Sequence, residues 1–270
     1  MSGLRAPVRD ETFDFLVCRP LGRRVASILG SRGVTANQVT LVTAIMGVLI
    51  GVLYGSPWPG PLWGALLFLV AMVFDCVDGE IARKYGGGGW RGRIFDGMAD
   101  GVTAISICIG MVVYLGRLKL EVLGHVMGPI EWFVFFLPAA ASFIWHSAVV
   151  DDVKQRLKHE SVDTGLDEPG SEPKNAFERF AYAILVTYAR YNKQSSSRGR
   201  PGGYLCFRRV QWVGPTHHHV MMVLAALSIN VWSTAYLGYW VFVTVIANLY
   251  MLTVLWLSRN TCRTQATRSV

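Results

Sequence analysis

Four carboxylates stand between Asp75 and Asp100, in the run DCVDGEIARKYGGGGWRGRIFDGMAD, where two strongly apolar stretches meet. A charged Asp at the centre of a membrane helix costs roughly 2.5 to 3.5 kcal/mol, so four of them could cost on the order of 10 kcal/mol if nothing offset them. Bound divalent cations would. On a helix, Asp75, Asp78, Gly79 and Ala82 fall at offsets 0, 3, 4 and 7 and share one face, and Gly92, Asp96 and Asp100 do the same at offsets 0, 4 and 8. The short stretch between Arg83 and Arg93, with its glycines 86 to 89, predicts an antiparallel helical hairpin whose carboxylate faces meet.

Hard cations such as Mg2+ or Mn2+ take oxygen ligands, so Asp75, Asp78, Asp96 and Asp100 make a suitable cage for them. Two such ions about 3.5 to 4 Å apart can hold a diphosphate and stabilise the entering and leaving oxygens of an in-line displacement. Small residues on the same faces, Gly79, Ala82 and Gly92, leave room for a flat group such as a nucleotide. Arg83, at the helix end, can grip phosphate oxygens.

The run resembles the signature of the CDP-alcohol phosphotransferase family: D, two residues, DG, two residues, AR, eight residues, G, three residues, D, three residues, D. Asp75, Asp78, Gly79, Ala82, Arg83, Gly92, Asp96 and Asp100 fill every specified position. Thr35-Ala36-Asn37-Gln38-Val39-Thr40 also resembles the family's TPNxxT-type start of its first membrane helix, with Ala36 in place of Pro. The resemblance implies transfer of the phospho-alcohol part of a CDP-alcohol to an acceptor hydroxyl with release of CMP, in phospholipid biosynthesis, by a homodimer. It assigns the metals to Asp75, Asp78, Asp96 and Asp100, the CDP contacts to Gly79, Ala82, Arg83 and Gly92, and the proton-accepting role to Asp100. An ordinary Asp, with a pKa of about 3.9, is a weak base for a free alcohol, so metal activation or desolvation must narrow the gap.

Other chemistries fit less well. Membrane prenyltransferases carry two Asp-rich motifs, and no second Asp cluster lies in an apolar segment of this chain. A cation-coupled transporter could use the same carboxylates for a travelling ion. The glycines 86 to 89 read as a turn and not as a phosphate-cradling loop, because no strand precedes them.

The elements that must hold these residues are membrane helices. The 270-residue chain is 52% hydrophobic and only 16% charged, with a mean hydropathy of +0.35, too apolar for an ordinary soluble domain. Spans are expected at 38–54, 61–78, 94–115, 130–150, 219–233 and 235–257. The expected fold is thus an all-α polytopic membrane protein of six transmembrane helices with an N-terminal amphipathic surface helix. The first apolar run begins too late, and without a small-residue cleavage pattern, to read as a removable signal peptide.

Arg residues crowd the N-terminal stretch, the second loop, the long fourth loop and the tail, whereas the first and fifth loops carry no Lys or Arg. The positive-inside rule therefore places both termini and the carboxylate-bearing end at the cytoplasm, in the inner membrane. Segment 1–37 is expected to be cytoplasmic, with Leu16, Leu21, Val25, Ile28 and Leu29 interleaved with arginines as a helix lying on the inner leaflet. Segment 38–258 is the catalytic domain and 259–270 a cytoplasmic tail. The net charge of +8 suits an anionic membrane surface. It argues against nucleic acid as a partner, because the charges flank spans instead of forming one stripe.

Within the long loop 151–214, residues 161–174 and 195–203 read as linkers, and Phe177, Phe180, Ala181, Ile184, Leu185 and Tyr188 as a helical stripe lying on the membrane or against the bundle. Arg208, Arg209 and His217 to His219 could bind an anionic acceptor or serve as interfacial anchors. The three adjacent histidines cannot all face one zinc ion from a helix. His146, Asp151 and Asp152 fit packing and capping better than an acceptor pocket. Five scattered cysteines imply no disulfide framework, and Cys76 turns away from the Asp face. A phosphorylated polyol acceptor and a CDP-diacylglycerol donor are expected, with soluble CDP-alcohols such as CDP-inositol as the alternative donors.

Overall fold

The computed structural model describes residues 11–86, 89–122, 124–158, 172–180, 182–183, 186–187 and 204–266. The expected linkers at 161–171 and 195–203, and the stripe residues Ala181, Ile184, Leu185 and Tyr188, lie outside them.

A π-helical turn, Asp14–Cys18, leads into α1 (Arg19–Ser31); then come α2 (Ala36–Tyr54), α3 (Gly60–Tyr85), α4 (Trp90–Arg117) and α5 (Pro129–Lys158). After the long loop follow α6 (Tyr204–Val210), α7 (Pro215–Ser228) and α8 (Ala235–Val241), which runs through a π-helical stretch, Phe242–Ala247, into α9 (Asn248–Ala266). The chain is an all-α polytopic membrane protein. Among the described residues, five helical stretches have the length and hydropathy to cross a bilayer: Ala36–Tyr54, Gly60–Tyr85, Trp90–Arg117, Pro129–Lys154 and Ala235–Leu257. Leu41, Val42, Ile45, Val48, Leu49 and Val52 of α2 turn outward, the face a lipid-embedded helix presents. The span expected at 219–233 takes the form of α7, whose 14 residues cover about 21 Å. It ends at Ser228, whose hydroxyl folds back to the Leu224 carbonyl.

Local signals account for the start of α2. Thr35 caps it, receiving the Gln38 amide at 3.4 Å while the Gln38 side chain receives the Thr35 amide at 2.9 Å, a reciprocal capping box. Packing then decides where α2 goes. Gly47, Gly51 and Gly55 repeat every fourth residue along one flank, and on that flank α2 meets Thr103, Ser106 and Gly110 of α4 so closely that a Cβ at Gly47 or Gly51 would collide with them. Gly51→Ala places a methyl on the Ser106 carbonyl and is expected to cost about 2 to 3 kcal/mol, the upper part of the range of about 1 to 3 kcal/mol for core overpacking. Thermal unfolding in detergent checks it. A wild-type transition would show that the two helices do not sit this close.

This contact changes the expected hairpin. Both α3 and α4 pack mainly on α2 and make little contact with each other, so a cleft separates much of the two carboxylate-bearing helices. The helix α1 lies against α3 and α2 through Ala26, with Val25 and Leu29 turned toward Ala36, Val39, Val77 and Ile81. Of its expected apolar stripe, Leu16, Leu21 and Ile28 remain exposed.

Candidate functional site

Asp75 and Asp78 lie about 10 to 15 Å from the end of α3, and Asp96 and Asp100 at similar depth from the start of α4. Across the cleft, one carboxylate oxygen each from Asp75, Asp78 and Asp96 come within 4.8 Å of one another. An all-oxygen donor set of this kind, drawn from two helices, fits a hard divalent cation. Asp100, one turn further along the same face of α4, is exposed and stands outside that trio.

Asp78 is the buried member, 6% exposed, and its Oδ2 receives the Thr40 hydroxyl at 2.8 Å. The TANQVT segment thus does two jobs: Thr35 starts α2, and Thr40, on its buried side, orients a carboxylate of α3. Hydrogen-bonded partners of metal ligands are typically worth 10- to 100-fold in affinity. Thr40→Val is therefore expected to weaken Mg2+ or Mn2+ binding by about that factor, with Thr40→Ser restoring it. Equal metal affinity in Thr40→Val would remove the orienting role.

The Arg83 guanidinium folds back along α3 over Gly79, whose missing Cβ would sit 3.4 Å from its Nη1, and it pairs with Glu80 at 3.2 Å. Glu80 also receives Arg23 of α1 at 3.4 Å, tying the N-terminal helix to the signature. Ala82 packs beside Val77 and Ile81, and Gly92 is half-buried in the first turn of α4. The first turn of α4 is held from the long loop: Arg91 reaches the Glu172 carbonyl at 2.8 Å and Glu178 at 3.3 Å, and Trp90 meets Tyr182 edge-on at 5.3 Å.

The sequence-predicted acceptor group divides. The side chains of Arg208 and Arg209 are exposed in the last turn of α6. The three histidines face three ways. His217 Nδ1 meets Glu11 at 3.2 Å, His218 stacks on His146 with ring nitrogens 3.1 Å apart, and His219 lies against Phe68 and Phe143. His146 also meets Asn248 at 2.9 Å, which places it in a polar seam between α5, α7 and α9. Asp151 and Asp152 are half-buried.

Sequence reasoning missed the partners of His217. Glu11 is fully buried, 2.9 Å from Lys154 Nζ and 3.0 Å from the Thr216 amide. Burial alone would raise its pKa, but the His217 hydrogen bond and the Lys154 ammonium outweigh it and hold the carboxyl down at about 2. Nearby Asp14 receives the Thr216 hydroxyl at 2.9 Å; burial pushes its carboxyl up, and the Thr216 bond opposes that only in part. The only sequence signal for Glu11 and Lys154 was charge at segment ends, which does not name partners.

Fold and site together define a polytopic helical membrane protein with a cleft whose carboxylate oxygens could hold a divalent cation. Residues 33–162 match the family model for CDP-alcohol phosphatidyltransferase. A phosphatidylinositol phosphate synthase of Corynebacterium glutamicum is 39% identical over 80 residues, 29% of this chain. The match spans 36%, about a third, of that relative's length. No solved structure matches.

Proposed function

We propose that the chain transfers the phosphatidyl group of CDP-diacylglycerol to the hydroxyl of a phosphorylated polyol, releasing CMP at the cytoplasmic face of the inner membrane. The observation that carries this reading is the convergence of Asp75, Asp78 and Asp96 across the cleft. The relative's name supports a phosphorylated inositol as the kind of acceptor. In this reading segment 38–258 is a six-span catalytic domain, 1–37 and 259–270 are cytoplasmic, and the protein works as a homodimer.

Asp75, Asp78, Asp96 and Asp100 would hold Mg2+ or Mn2+, which when bound supplies positive charge to the diphosphate. Arg83 exchanges Glu80 for a phosphate oxygen, and the small Gly79, Ala82 and Gly92 admit the cytidine. Asp100 takes the proton of the acceptor hydroxyl as its oxygen attacks the β-phosphorus. The bond between that phosphorus and the bridging oxygen breaks, and CMP leaves with the electron pair. The exposed Arg208 and Arg209 attract the acceptor phosphate from the cytoplasmic surface, while His217, also expected in this group, is buried against Glu11 and does not face it.

One panel tests donor and acceptor together. Purified protein is given CDP-diacylglycerol or a soluble CDP-alcohol, including CDP-inositol, each with phosphorylated and free polyols, with Mg2+, Mn2+ or a chelator. CMP release is expected only with divalent metal and fastest from CDP-diacylglycerol with a phosphorylated polyol. A faster free alcohol would overturn the acceptor, and a faster soluble donor the phosphatidyl group. Absence of CMP with every pair, alongside cation flux in vesicles, would indicate a transporter.

A further inference from the structure

A second cluster of ligating atoms lies beside the first and differs from it in chemistry. The carboxylate of Asp14 and the sulfurs of Cys18 and Cys76 come within 4.8 Å of one another. Cys18 is fully buried, Asp14 and Cys76 half-buried, and both thiols are free. Two features show that the surroundings are built around this spot. The Asp14–Cys18 turn is π-helical, a distortion that recurs at functional sites. One turn further, Gly22 brings α1 onto α3 so closely that a Cβ there would lie 2.9 Å from the Cβ of Cys76. Asp14 also has an orienting partner, since its Oδ2 receives the Thr216 hydroxyl at 2.9 Å.

We propose that Asp14, Cys18 and Cys76 form a site for a thiophilic divalent ion, Zn2+ by preference, which fastens the N-terminal segment to α3. Two thiolates and a carboxylate suit Zn2+, with water as the fourth ligand, and they suit Mg2+ poorly. Binding releases the two thiol protons to solvent, and the bonds formed are two Zn–S and one Zn–O. Cys76 is one residue past Asp75, about 100° around α3, so this ion sits on a different side of the helix from the carboxylate cleft. Its role is to hold the helix that carries Asp75 and Asp78 against the segment that carries Glu11. The inference does not depend on the transferase reading.

The test is spectroscopic. Reduced, metal-stripped full-length protein in detergent is titrated with Co2+ in the presence of excess Mg2+, and sulfur-to-cobalt charge-transfer absorption is recorded. The band is expected to saturate at one ion per chain and to bleach on adding Zn2+. Cys18→Ser and Cys76→Ser should abolish it, Thr216→Val should weaken binding about 10-fold or more, and the Asp96→Asn Asp100→Asn variant should keep it. Zn2+ should also slow trypsin cleavage at the exposed Arg23 and Arg24 in the wild type and not in Cys18→Ser. Should Cys18→Ser fold poorly, Cys76→Ser and Asp14→Asn carry the same expectation. A wild-type protein without the band, or a band that survives both Cys substitutions, overturns the site.

Discussion

Asp100→Asn is expected to lower CMP release by about 10²- to 10⁴-fold while CDP-alcohol still binds, the loss that follows removal of a general base. The substitution keeps the side chain's size and replaces the carboxylate with a neutral amide that cannot accept the proton. The trio of Asp75, Asp78 and Asp96 is complete without Asp100, so the charge that attracts cation and diphosphate largely survives. Donor affinity should therefore change far less than turnover. The measurements are CMP release under saturating substrates and equilibrium binding of CDP-alcohol to the same preparation. Near-normal turnover would remove Asp100 as the base. Turnover and donor binding falling together would instead place Asp100 among the residues that hold metal and nucleotide.

How much of this site could be read from the chain depends on how local each cause is. The periodicity of Asp75, Asp78, Asp96 and Asp100 is fixed by helix geometry alone, and the apolar runs around them by composition, so signature, helices and membrane class were legible together. The capping box at Thr35 and Gln38 is local as well. What separates α3 from α4 is not local, because it is set by Gly47 and Gly51 admitting α4 onto α2. A sequence shows that these glycines repeat, but not which helix they will meet. The same holds for Glu11 with Lys154, 143 residues apart, and for Cys18 with Cys76. Cys76 does turn away from the Asp face, as the helical offset requires, and what it turns toward was hidden in the N-terminal segment. At 219–233 hydropathy counted apolar residues, whereas the helix ends where the Ser228 hydroxyl bonds back to its own turn.

The second large effect concerns Asp78, where burial and charge pull in opposite directions. Its oxygen lies within 4.8 Å of those of Asp75 and Asp96. Like charges at that distance repel by on the order of 3 kcal/mol per pair at an effective dielectric constant of about 20, and less where solvent reaches the exposed Asp75. Without a cation, Asp78→Asn should relieve that repulsion, since the amide oxygen can still accept the Thr40 hydroxyl. The variant is expected to melt a few degrees above the wild type in chelator. With a cation the order should reverse, because the wild type gains stability in proportion to the logarithm of metal occupancy and the variant has lost a ligand. CMP release should fall at least about 100-fold, the upper end of what even an outer partner of a metal ligand is worth. Melting curves with and without Mg2+ read the sign of each difference. An Asp78→Asn protein with the wild-type Mg2+ response would show that this carboxylate holds no metal, and α3 would then contribute only Asp75 to the cleft.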